Sequence, residues 1–148
     1  MRPVNRWAER HRPLLEAALE DGEVLVAADR VMLAGVDAID LDAGNGRTQR
    51  LAGKRGGGAV RTARGRGLDL PGRAFVLVIT DRRLLVVESS KWVARPVSVA
   101  ASLPRTKVVS VVAGSRIGPS RVRVLLDDGM LLLFRPYGGR RIDHLADA

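Results

Sequence analysis

A chain of 148 residues with 46% hydrophobic content is long enough for one domain with its own core, yet only 3% of it is aromatic. That core must be aliphatic, and an aromatic-lined cofactor pocket is not expected. Cysteine is absent, which excludes disulfides, thiolate metal sites and cysteine nucleophiles.

The first element is an amphipathic helix, with Pro13 at a first-turn position and Leu14, Leu15, Ala18 and Leu19 at helical spacing. Asp21-Gly22 ends it. A further helical turn around Trp7 is allowed, although Pro13 argues against one unbroken helix. The N-terminus carries charge every few residues and lacks the apolar stretch of a signal peptide, and no run approaches a membrane span. The reading is a cytoplasmic protein, free or held peripherally at a membrane.

Glu23 to Leu33 reads as the first strand. Periodicity then disappears from about Gly35 to Gly72, and nine of the 30 residues from Gly44 to Arg73 are glycine. The same 30 residues hold eight Arg or Lys against one acid, so they carry +7 of the net +9. So polar a segment buries too little apolar area to offset its ordering entropy, so residues 36–73 are expected to form a flexible basic insertion in a single 1–148 domain. Any anionic partner is to be sought there first.

Ala74 to Glu88, AFVLVITDRRLLVVE, writes a β-hairpin: two apolar arms joined by Asp81, Arg82 and Arg83. Lys91 to Ala101 contains Val93, Val97 and Val99 around Pro96 and is expected to be an edge strand. Pro104 marks a turn, Thr106 to Ala113 forms another strand, and Gly114 to Pro119 is a loop. Arg121 to Asp127 and Met130 to Arg135 pair through the Asp128-Gly129 turn. After Gly138-Gly139, Ile142, Leu145 and Ala146 give a short terminal helix within Arg140 to Ala148.

Helix, strand, long loop, six more strands and a helix is the pattern of the pleckstrin homology superfold. The run Val78-Ile79-Thr80-Asp81-Arg82-Arg83-Leu84-Leu85 resembles the apolar strand, T-[DN]-[RK]-R-L turn and second strand of bacterial pleckstrin-homology-like families. Ser102-Leu103-Pro104 before a valine-rich strand and Leu126-Asp127-Asp128-Gly129 resemble later elements of those families. The resemblance implies a mostly β, seven-stranded antiparallel, partly open barrel with a C-terminal capping helix and an N-terminal helix. It also implies a binding scaffold, whose ligand it leaves open. In eukaryotic relatives the basic hairpin between the first two strands holds phosphoinositide headgroups; here the Arg/Gly segment takes that position, with its cations scattered along it.

The candidate anion-binding residues are therefore Arg55, Arg61, Arg64, Arg66 and Arg73 of the insertion and the turn pair Arg82 and Arg83, with Lys91 and Arg95 as further neighbours. An acidic phospholipid surface fits the insertion. Nucleic acid is the rival, because Arg/Gly segments contact phosphates and stack on bases. A solvated insertion is the plain alternative, since 22 of the 25 basic residues are arginine and the bias runs through the whole chain. A partner strand or second copy could pair with the edge strand around Val93 to Val99. The motif GKRGGG is no phosphate loop, because Arg55 follows Lys54 where Ser or Thr is needed.

No catalytic residue, metal ligand, cofactor or small-molecule substrate is assigned, and the protein is read as a non-enzyme. His11 and His144 stand at opposite ends of the chain, and Asp127-Asp128 is explained by turn chemistry. Asp37, Asp40 and Asp42 are read as solvated, and Trp7 and Trp92 as packing residues or interfacial anchors.

Overall fold

The structure, a computed structural model, describes residues 6–39, 48–50, 56–72, 74–89, 96–113, 121–136 and 145. Two short helices, α1 (Arg6–Arg10) and α2 (Arg12–Ala17), lead into β1 (Leu25–Ile39). They are followed by β2 (Thr48–Arg50), α3 (Gly56–Gly65), β3 (Ala74–Thr80), β4 (Arg83–Ser89), β5 (Pro96–Pro104), β6 (Val108–Ala113), β7 (Val122–Leu126) and β8 (Met130–Pro136).

Seven strands form one antiparallel sheet in the order β5-β4-β3-β1-β8-β7-β6, and β2 pairs with β1 off that path. The sheet does not close: among the described residues β5 and β6 have one partner strand each. The mostly β, seven-stranded antiparallel expectation agrees with this architecture, and β5 lies at an edge as its prolines require.

β3 and β4 are continuous apolar runs because both of their faces are covered. Phe75, Leu77, Ile79, Leu84 and Val86 enter the main core with Val122, Val124, Leu132 and Phe134. Val76, Val78, Leu85 and Val87 enter a second cluster, where Ala8 of α1 and Leu15 of α2 meet them. The helical stripe is narrower than its spacing suggests: Leu15 is buried while Leu14 is exposed. Proline at the second position of α2 starts a new helix after His11, so the break expected at Pro13 falls between α1 and α2.

β1 is the spine. Its first half pairs with β3 and its second with β8, and bulges at Leu25/Ala27 and Leu33/Gly35 let one strand serve both. The sequence pattern stopped this strand at Leu33; pairing carries it on to Ile39. The β7–β8 hairpin turns where expected, with Gly129 at φ 87°, a conformation that glycine adopts without a Cβ penalty.

The segment 36–73, expected as a flexible loop, contains a helix at its centre. Residues 56–65 are helical, and Ala59, Val60 and Ala63, with Leu68 and Leu70 just beyond, are buried in the main core. The strand expected over Lys91 to Ala101 begins at Pro96; residues 90–95, Val93 included, lie outside the described residues, as does the loop expected over Gly114 to Pro119. The expected terminal helix is outside them too, except for Leu145, which is fully buried in the main core.

Candidate functional site

A helix with three consecutive glycines at its start has poor intrinsic propensity, each glycine costing about 1 kcal/mol relative to alanine. Tertiary packing therefore holds α3. Ala59, Val60 and Ala63 form its buried stripe, and the Thr62 hydroxyl donates to the Gly58 carbonyl at 2.9 Å. At the C-terminus, Leu68 N–H donates to the Ala63 carbonyl at 2.9 Å and Gly67 N–H to the Arg64 carbonyl at 3.1 Å. With Gly67 at φ 93° and Leu68 buried, this is a Schellman cap whose apolar residue pins the chain to the core.

That seat turns the cations outward. Arg61, Arg64 and Arg66 are exposed on or just past α3. Arg64 bridges its own segment, Nε and Nη2 donating to the Leu70 carbonyl at 2.9 and 2.6 Å. Arg66 Nη2 lies 3.9 Å from Asp128 Oδ2 at the β7–β8 turn, a loose and solvated ion pair. Arg55 and Arg73, like Lys91, Trp92, Arg95, His144, Asp40 and Asp42, lie outside the described residues.

The turn pair is placed elsewhere and does different work. Glu23, whose side chain is fully buried, meets four donors. Its Oε1 accepts from Arg83 Nη2 at 2.6 Å and from Glu20 N–H at 2.9 Å; its Oε2 accepts from Arg83 Nε at 3.0 Å and from the Thr80 hydroxyl at 2.6 Å. Arg83 thus spends its guanidinium on an internal carboxylate. The Thr80 oxygen in turn accepts from the N–H groups of Arg82 and Arg83, at 3.1 and 2.8 Å. Asp81 exchanges two bonds with Val24: Val24 N–H to Asp81 Oδ1 at 2.9 Å and Asp81 N–H to the Val24 carbonyl at 3.1 Å. The T-D-R-R turn is a clasp holding the β3–β4 hairpin to the start of β1. Arg82 is exposed, its Nη1 donating to the Asp21 carbonyl at 3.3 Å.

Hydrogen bonds from Arg83, foremost, lower the Glu23 pKa to about 2, against the opposing effect of burial; Thr80 and the Glu20 amide add to the lowering. The same contact raises Arg83.

The two arginine groups do not converge. Leu25 of β1 pairs with Thr80 beside the clasp, whereas Ala38 pairs with Met130 beside the turn that Arg66 reaches. At about 3.3 Å per residue they are separated by on the order of 40 Å along β1. No single cradle joins Arg82 and Arg83 to the α3 cations.

Among the described residues no group of three or more His, Asp or Glu is arranged to hold a metal ion, and no helix is long and apolar enough to cross a membrane. Sequence reading missed Glu23 as the partner of Arg83, since 60 positions separate them. It also missed α3, whose signals were the Ala59, Val60, Ala63 spacing and the Gly67-Leu68 cap. No family model, curated protein or solved structure matches this chain.

Proposed function

We propose that the protein is a non-enzymatic binding module of pleckstrin-homology-like architecture that docks on an anionic phospholipid surface through the outer side of α3. The observation that carries this reading is the seat of α3: its apolar stripe is anchored in the core, so Arg61, Arg64 and Arg66 stand outward at fixed positions instead of on a free ribbon. The remaining cations of the +7 segment flank this helix in sequence and add long-range attraction. Seven antiparallel strands, a T-D-R-R-L hairpin turn and a buried Leu145 near the C-terminus support the architecture.

Charge reversal is the right perturbation, because deleting the segment would strip Ala59, Val60, Ala63, Leu68 and Leu70 from the core. In vesicle flotation the protein is expected to float with phosphatidylglycerol-containing vesicles and to stay behind with pure phosphatidylcholine. Each basic residue near such a surface contributes about 1 kcal/mol, so Arg61→Glu with Arg66→Glu weakens binding at least about tenfold. Equal recovery on neutral and anionic vesicles rules the reading out. Retention of single-stranded RNA, lost steeply with salt and absent in the same double variant, would reassign these arginines to nucleic acid.

A further inference from the structure

A second group of cations lies on the opposite face of the sheet, and among the described residues no acid pairs with it. In β7, Val122 and Val124 point into the main core, and in β8 so do Leu132 and Phe134. Strand alternation therefore puts Arg123 and Arg135 on the other face, with the exposed Arg121 just ahead of β7. The register pairs Val122 with Phe134 and Arg123 with Leu133. Arg121 immediately precedes β7, next to the last ladder pair, Val122 with Phe134, and Arg123 is diagonal to Arg135.

Facing side chains on a sheet start about 5 Å apart and diagonal ones about 7–8 Å. Like charges at that spacing repel, and here no carboxylate among the described residues pairs with any of the three. Arg135 is half-buried, and its Nε is out of contact with water with no hydrogen-bond partner. A buried donor without an acceptor is costly, so the neighbouring charge of Arg135 is poorly compensated within the fold. Arg30 of β1 is diagonal to Arg135 across Met32 but already has an interaction of its own, so it is not counted.

We infer that Arg121, Arg123 and Arg135 form a binding site for a phosphate dianion, presented by a soluble phosphomonoester or by a phosphomonoester lipid headgroup. A doubly charged tetrahedral anion between the guanidinium groups converts their repulsion into charge-assisted hydrogen bonds to their terminal nitrogens. This site is independent of the α3 reading, because α3 packs on the other side of the sheet.

The test is a titration of the full chain with inorganic phosphate at constant ionic strength, followed by amide NMR. Saturable shifts confined to the ends of β7 and β8 are expected, and Arg123→Gln with Arg135→Gln weakens phosphate binding about tenfold or more. If that double variant loses its dispersed spectrum, the exposed single change Arg123→Gln carries the test, with a smaller loss in the same direction. Shifts that grow linearly, that chloride reproduces, or that persist unchanged in the variants overturn the inference. In the Arg61→Glu, Arg66→Glu background, which removes the α3 contribution, vesicles containing phosphatidic acid distinguish the source: displacement of bound protein by millimolar phosphate assigns the site to the lipid headgroup, and absence of vesicle binding with phosphate binding intact assigns it to a soluble ligand. Because α3 is untouched by the Arg123 and Arg135 variants, flotation on phosphatidylglycerol reports separately on the other face.

Discussion

Arg83→Ala is expected to lower the free energy of unfolding by about 3–5 kcal/mol, the cost of leaving a buried carboxylate without its counter-charge. The Glu23 side chain is fully buried, and two of its four hydrogen bonds come from Arg83. A surface ion pair would be worth about 0–1 kcal/mol, so the size of the loss separates a structural clasp from a solvated turn. The pH dependence has a definite sign. Glu23 has a folded pKa of about 2 against an ordinary 4.5. Its contribution is therefore complete above pH 4.5 and lost as pH falls from there toward 2, by about 3 kcal/mol in all. Urea denaturation across this range should show the loss in the parent chain and a flatter profile in Glu23→Gln. A double-mutant cycle between Glu23→Gln and Arg83→Gln with coupling below about 0.5 kcal/mol would contradict the clasp.

Phe134→Ala should cost about 3–5 kcal/mol, and Phe75→Ala about the same. The chain has two phenylalanines, and they meet edge to face, ring centroids 5.9 Å apart and planes at 89°, each 1% exposed. Phe75 faces Val31 from β3, and Phe134 faces Leu33 from β8, so the pair bridges the two halves of the sheet across β1. Aliphatic neighbours cannot refill a ring-sized void without leaving their rotamers. Combining the two substitutions should cost less than the sum of the singles, because the second removes a ring already without its partner. Urea midpoints of the three variants check this; a loss under about 1 kcal/mol for either single would contradict the packing.

The strands were legible where one physical signal dominated. β3 and β4 announce themselves because burial on both faces leaves no polar interruption, and β7 and β8 because Asp128-Gly129 punctuates an alternating pattern. β1 was cut short because Ala34 and Gly35 interrupt its alternation, and the Leu33/Gly35 bulge that absorbs the interruption depends on β8, about a hundred residues away. α3 was hidden for a related reason. Its glycines and arginines lower local propensity, and the core that overrides them is assembled from β1, β3 and β8.

Of the candidate site, composition marked where the cations lie but not what they touch. Arg83 and Arg61 look alike in sequence, yet one is committed to Glu23 and the other faces water. The T-D-R-R turn illustrates the same limit: its residue types fit both a phosphate cradle and a hairpin clasp, and its three bonds to Glu23 favour the clasp.

The fixed display of Arg61, Arg64 and Arg66 depends on α3 being folded into the core. Amide hydrogen exchange on the free protein reads this directly. Protection at Arg66 and Leu68, whose N–H groups donate to Thr62 and Ala63, should approach that of the β3 amides. Exchange of these amides at the rate of an unstructured chain, while β3 stays protected, would show that the helix is not seated and that its arginines have no fixed display.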